Sequence, residues 1–214
     1  MLNIAVLVSG GGTNLQALID AQKAGKIPGG RITLVISSRE DAYALTRAEQ
    51  AGIRTEVLRR RSFSEQGDYD TELIGLLERE RVGLIVLAGF MTIISPRVIE
   101  RYRNRMINIH PSLIPAFCGE GCYGLRVHQA ALEKGVRVTG ATVHFVNEVC
   151  DGGPIILQKA VEVLPGDTPE TLQRRVMEQA EWKLLPKAVA LFCAGFLEVE
   201  NGVVKIKGDL PCSE

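Results

Sequence analysis

Asn108 and His110 stand two residues apart in Ile107–Pro115, which reads Ile-Asn-Ile-His-Pro-Ser-Leu-Ile-Pro. A short apolar run of this kind suits a strand, on which residues two apart share a face. Pro111 stops the run and Pro115 closes the turn after it. A strand ending this way can hold two polar groups rigidly at a sheet's edge. The imidazole can polarise a carbonyl or move a proton near neutral pH. The carboxamide adds a donor for a developing oxyanion. The same two residues also suit a strand-end histidine bonded to backbone carbonyls beside an asparagine in a turn, so the flanking elements must decide.

Leu2–Val8 is apolar and β-rich, the pattern of a parallel strand buried on both faces. Ser9-Gly10-Gly11-Gly12-Thr13-Asn14 follows, and Leu15, Leu18 and Ile19 then share one face of a helix. Glycines between a buried strand and a helix start let backbone N–H groups approach a phosphate, and the helix dipole favours the anion. Thr13 or Asn14 is expected to cap the helix. No Lys-Ser/Thr follows, so this is no Walker loop, and the full dinucleotide glycine spacing is missing. The stretch reads as a monophosphate cradle or as a plain tight turn.

Strands at Arg31–Ser37, Thr55–Leu58 and Val82–Ala88 alternate with helices at Ala42–Ala51 and Tyr69–Arg81. That alternation predicts an α/β fold with a mostly parallel, doubly wound sheet. Ligands of such sheets bind beyond the carboxyl ends of the strands, where Ser9–Asn14, Gly89–Ser95 and Asn108–His110 converge. After Pro115 comes a Gly/Cys-rich loop, Ala116–Leu125, and then a helix over Val127–Glu133. Thr139–Val146 and Ile155–Val163 flank the turn Cys150-Asp151-Gly152-Gly153-Pro154 and predict antiparallel strands added to the sheet. Thr168-Pro169-Glu170 marks a helix start. That helix is expected to run to about Leu185, with a further helical stretch through Leu191 after Pro186. Leu197–Ile206 reads as a hairpin turning at Asn201-Gly202.

The 214 residues are 46% hydrophobic and 23% charged, ordinary for a globular chain. Twenty-five basic residues balance twenty-five acidic ones, so no global field attracts nucleic acid or an anionic membrane. Ile4–Val8 is too short for a signal peptide, and no apolar stretch approaches a membrane span. The expectation is a soluble cytoplasmic protein with small-molecule substrates and neither nucleic-acid nor membrane partners. Cys118, Cys122, Cys150, Cys193 and Cys212 read as free thiols. Cys118-x3-Cys122 with His128 nearby lacks the rest of a tetrahedral set, so no metal is expected.

With Asp151 added to Asn108 and His110, the chain resembles the phosphoribosylglycinamide formyltransferases, a folate-dependent family. The likeness rests on Val8–Gln16, Leu87-Ala88-Gly89-Phe90-Met91, Asn108–Leu113, His144-Phe145-Val146 and Asp151–Gln158, and so covers nearly the whole chain. It implies one Rossmann-like formyltransferase domain over 1–214. Residues 1–105 would form the phosphate-binding half, and 106–214 the catalytic and folate-binding half. The implied co-substrate is 10-formyltetrahydrofolate, the acceptor is glycinamide ribonucleotide, and a homodimer is compatible with the family.

The resemblance makes Asn108, His110 and Asp151 the catalytic trio, although Asp-Gly by itself reads as a turn. It assigns Gly11, Gly12, Thr13 and Asn14 to the ribonucleotide phosphate and Glu181 to the ribose. Phe90, Met91, Thr92, Ile93 and Ile94, with Val146, Asn147 and Glu148, would hold the pterin largely through backbone groups, and His144 would line the site. A cis peptide is implied before Pro115. Thr92 departs from the family, standing where an arginine often follows Phe-Met, and Gln66 lies near an expected basic contact. Related readings are another 10-formyltetrahydrofolate-dependent formyltransferase, a hydrolase, or a non-catalytic nucleotide-binding module. The module would tolerate loss of the trio, yet all three residues are present.

Overall fold

The computed structural model describes residues 1–208, so Cys212 lies outside the described residues. Its main sheet has seven strands: β1 (Leu2–Val8), β2 (Gly30–Ser37), β3 (Arg54–Val57), β4 (Val82–Leu87), β5 (Met106–His110), β6 (Val138–Phe145) and β7 (Ile155–Glu162). Their order is β3-β2-β1-β4-β5-β6-β7. The first five are parallel, and β6 and β7 run antiparallel to their neighbours, as expected. The helices are α1 (Thr13–Lys23), α2 (Tyr43–Gln50), α3 (Gln66–Arg79), α4 (Pro96–Arg101), α5 (Leu125–Lys134), α6 (Pro169–Val176) and α7 (Trp182–Cys193).

Alternate residues of β1 feed two cores, which is why the strand is apolar throughout. Ile4, Val6 and Val8 pack with Leu15 and Leu18 of α1, Ala44 and Ala48 of α2, and Leu185 and Val189 of α7. Ala5 and Leu7 pack on the other side with Leu73 and Leu77 of α3 and Val98 of α4. Each fully buried Leu or Ile contributes about 1.5–3 kcal/mol. Connections leave β1 toward β2 on one side and return to β4 on the other, so the carboxyl ends of β1 and β4 form the switch point of the sheet.

Several local expectations change. Neither Thr13 nor Asn14 caps α1. Gly12 holds the cap position at φ 73° and has no side chain to offer. A Cβ there would stand 2.6 Å from the Ala44 Cβ, so close packing of α2 reserves the position for glycine. A helix that the sequence pattern does not predict forms at Pro96–Arg101, where Ser95 caps with its hydroxyl and Pro96 opens the first turn. The C-terminal helix departs from regularity earlier than Pro186. A π-helical turn at Met177–Glu181 separates α6 from α7, and α7 continues through Pro186. Pro186 cannot bond the Trp182 carbonyl, and the widened turn gives the chain an irregular entry just before that residue. Thr168 does cap α6, in a reciprocal box with Thr171. Strands β8 (Leu197–Glu200) and β9 (Val203–Ile206) form the expected hairpin, with Asn201 and Gly202 both at positive φ. Among the described residues no helix is long and apolar enough to cross a membrane.

Candidate active site

The register between β5 and β6 sets Asn108 opposite His144 and His110 opposite Thr142. Thr142 then shapes the turn that follows β5. Its hydroxyl donates to the Ser112 carbonyl at 2.7 Å and accepts from the Ile114 N–H at 3.1 Å. The Ile114–Pro115 peptide is cis. Asp151 arrives from the turn between β6 and β7, in the left-handed region at φ 54°, a conformation that Asp tolerates better than most side chains. A Cβ on Gly153 would collide with the Phe145 carbonyl, so glycine lets this turn press against the end of β6.

The turn thus aims the Asp151 carboxylate inward. Its Oδ2 lies 3.4 Å from His110 Nδ1 and accepts the Gly119 N–H at 2.9 Å. Its Oδ1 accepts from Asn108 Nδ2 at 3.3 Å and lies 3.6 Å from His144 Nε2. His144 Nδ1 donates to the Phe145 carbonyl at 2.8 Å, which leaves Nε2 to face Asn108 Nδ2 at 3.2 Å. His110 Nε2 donates to the Phe117 carbonyl at 2.9 Å. His110 therefore has an acceptor at each ring nitrogen, an arrangement that an imidazolium satisfies on both sides. Burial pushes the Asp151 pKa upward. The His144 ring, the Gly119 N–H and the charge of His110 more than reverse that, so the carboxyl sits below its ordinary range.

The glycine loop lies on the same side of the sheet, at the end of β1. Cβ atoms on Gly10 or Gly11 would meet nothing within 4 Å, so this backbone is open to a ligand. The N–H groups at the start of α1 have no partners within the helix. Asn14, in that first turn, is buried and donates through Nδ2 to Glu181 Oε2 at 2.6 Å. Asn14 Oδ1 is buried without a partner among the described residues. Burial raises the Glu181 pKa to about 7, against the pull of the Asn14 bond.

The two loops expected to hold a pterin flank the trio. Met91 and Ile93 are exposed on one, and Val149 is exposed on the other. Phe90 is half-buried against the second core, and Thr92 is half-buried. The side chain of Ile94 is buried in that core, so this residue offers the loop its backbone alone. Val146 donates its N–H to the Met106 carbonyl. Asn147 bonds within its own loop, to the Val149 N–H and the Gly152 carbonyl, and Glu148 pairs with Arg103 at 2.6 Å. Gln66 is committed to Arg60 and Asp70. Among the described residues no group of three His, Cys, Asp or Glu side chains is placed to hold a metal.

Sequence reasoning missed four contributors. Phe117 and Gly119 act through backbone atoms, which carry no side-chain signal. Ser9 Oγ accepts the Met91 N–H at 2.8 Å and so ties the glycine loop to the 90–94 loop. Arg47 donates to the Gly11 carbonyl at 2.9 Å, bracing that loop from α2. His128 is fully buried, and neither ring nitrogen has a partner among the described residues. Burial first, and the charge of His110 second, lower its pKa to about 4, so it is neutral at physiological pH.

Residues 2–189 match the model of the formyl transferase family. The chain is 42% identical over 207 residues to phosphoribosylglycinamide formyltransferase of Escherichia coli, covering 97% of this chain and 94% of that one. The Haemophilus influenzae protein of the same name is 42% identical, with 97% of this chain and 95% of that one covered. The crystal structure of glycinamide ribonucleotide transformylase 1 from Symbiobacterium toebii superposes with a TM-score of 0.90 at 45% identity, covering 96% of this chain and 94% of that one. On this evidence the chain belongs to the phosphoribosylglycinamide formyltransferase family of formyl transferases.

Proposed function

We propose that the protein transfers the formyl group of 10-formyltetrahydrofolate to the amine of glycinamide ribonucleotide, by direct attack through a tetrahedral intermediate. The observation that carries the reading is the closure of Asp151 on the strand-end pair Asn108 and His110, on the same side of the sheet as an open glycine loop. Residues 1–105 supply the phosphate cradle, and residues 106–214 supply the trio.

The acceptor's phosphate is held by backbone N–H groups of Gly11, Gly12, Thr13 and Asn14, where the helix dipole adds to the attraction. Glu181, beside Asn14, takes the ribose hydroxyls. The pterin enters between the 90–94 and 146–149 loops, whose exposed Met91, Ile93 and Val149 give it apolar cover. As the amine attacks the formyl carbon, negative charge grows on the formyl oxygen. His110 Nε2 donates to that oxygen, exchanging the Phe117 carbonyl for it, and Asn108 Nδ2 is the second donor. The Asp151 carboxylate orients His110 through Nδ1 and draws off the amine's proton through water.

A formyl-transfer assay comparing glycinamide ribonucleotide with water as acceptor tests this directly. Transfer to the ribonucleotide with little hydrolysis is expected. Rapid hydrolysis without transfer would reassign the chain to deformylation.

A further inference from the structure

The function leaves unused the cysteines of the 116–125 loop and of the Asp151 turn. Two chain segments meet at one atom, because Asp151 Oδ2 accepts both the Gly119 N–H at 2.9 Å and the Cys150 thiol at 3.9 Å. Cys118 precedes Gly119, and Cys150 precedes Asp151, so a cysteine stands beside the contact on each segment. Both thiols are uncombined. Cys150 is exposed, and Cys118 is half-buried with its thiol on the Pro115 carbonyl at 3.3 Å. The loop bearing Cys118 turns through positive φ at Phe117, Gly119, Gly121 and Gly124. Such a loop can adjust to the narrow geometry a disulfide requires.

We propose that Cys118 and Cys150 form a thiol-modification site at which a small-molecule disulfide cross-links the 116–125 loop to the Asp151 turn and switches off formyl transfer. The exposed Cys150 thiolate attacks the reagent disulfide and releases one reagent thiol. The Cys118 thiolate then attacks the Cys150 sulfur of the mixed disulfide and releases the second. Two protein thiols become one disulfide, while one reagent disulfide becomes two thiols. The cross-link holds Gly119 on Asp151 and the Phe117 carbonyl on His110 Nε2. The loss of activity rests on the proposed role of that nitrogen, whereas the cross-link itself does not. A Cys118–Cys122 bond, by contrast, would close within one loop and leave the Asp151 turn free.

Burial and the Asp151 charge hold both thiols above their ordinary pKa. Reaction should therefore quicken as the solution turns alkaline.

The test incubates the full chain with oxidised glutathione at mildly alkaline pH and follows it by peptide mass mapping and by formyl transfer. Cys118 and Cys122 share one tryptic peptide, so the mapping is repeated in Cys122→Ser. Expected are a linked peptide pair holding Cys118 and Cys150, activity falling in proportion to the linked fraction, and recovery with dithiothreitol. Cys150→Ser, measured against its own reduced form, should keep its activity in the oxidant. Glutathione adducts without the cross-link, a Cys118–Cys122 bond instead, or a cross-linked protein with full activity would each overturn the proposal. Should formyl transfer be absent even in reduced protein, the proposed function fails, and the peptide map still decides whether the site exists.

Discussion

Asn14 Nδ2 and Glu181 Oε2 meet at 2.6 Å although 167 residues separate them in the chain. The contact joins the first turn of α1 to the π-helical turn before α7, and both partners are buried. A carboxyl in so dry a place is costly to ionise, which is why its pKa rises to about 7.

This has a signed consequence for stability. Folded Glu181 keeps its proton up to about pH 7, whereas an ordinary glutamate releases it near 4.5. Its contribution to stability is therefore fully present below pH 4.5 and is lost as the pH rises through 7. Glu181→Gln should remove that loss. Thermal melts of both proteins across this range should show the variant's Tm gaining on the wild type as pH rises. KM for the ribonucleotide should rise in the variant if Glu181 holds the ribose. A constant Tm difference would mean that Glu181 is already ionised in the folded protein.

His110→Ala should lower kcat far more than it weakens ribonucleotide binding, because an oxyanion donor acts in the transition state. Losing one such donor typically costs about 3 kcal/mol, or roughly 10²–10³ in rate. Steady-state kinetics with both substrates varied checks this. Turnover close to wild type would remove His110 from the chemistry.

Gly11 and Gly12 of the proposed phosphate loop should behave differently. A side chain at Gly11 meets open space, so Gly11→Val should melt like the wild type and raise KM for the ribonucleotide, with folate affinity unchanged. Gly12→Val meets Ala44 in a left-handed backbone, and should destabilise by about 1–3 kcal/mol whether or not ligand is present. Lost folate binding in Gly11→Val would move the loop to the other substrate.

Thr92 has no charge for the carboxylates of a folate tail, and the arginines that follow are mostly engaged elsewhere. Arg97 bonds to Gly67 and Thr71, Arg101 pairs with Glu78, and Arg105 bonds to the Arg101 carbonyl. Of these four, Arg103, paired with Glu148, is the one tied to a loop proposed to hold the pterin. An exposed pair of that kind is worth about 0.2–1 kcal/mol and is screened by salt. Thr92→Arg should tighten binding of polyglutamylated folate modestly and leave kcat unchanged. A large fall in kcat, or a strong dependence of the wild type on tail length, would place the tail elsewhere.

Much of the fold was legible from local pattern. The apolar runs Leu2–Val8 and Val82–Ala88 could be paid back only by burial on two faces, and their alternation with amphipathic helices dictated a parallel sheet. Thr168-Pro169 and Asn201-Gly202 set their own local geometry, because a capping hydroxyl and a left-handed turn act within a few residues. Asn108 and His110 were visible as chemistry because a two-residue spacing on a strand fixes their common face. The alternative reading of His110 was also partly correct, since one ring nitrogen does bond a backbone carbonyl, that of Phe117.

The catalytic role proposed for Asp151 rests on family resemblance alone, for in the sequence itself Asp-Gly is a turn. Tertiary structure decided that the turn's carboxylate points inward, that Gly12 rather than Thr13 caps α1, and that Asn14 serves Glu181. It also set Phe117 and Gly119 against the trio and sent the side chain of Ile94 to the core. Each of these is a contact between segments distant in sequence or a bond made by backbone atoms. Residue type and spacing determine what a segment can form and which groups it carries. Which distant segment those groups finally face is settled only when the sheet and its two cores pack.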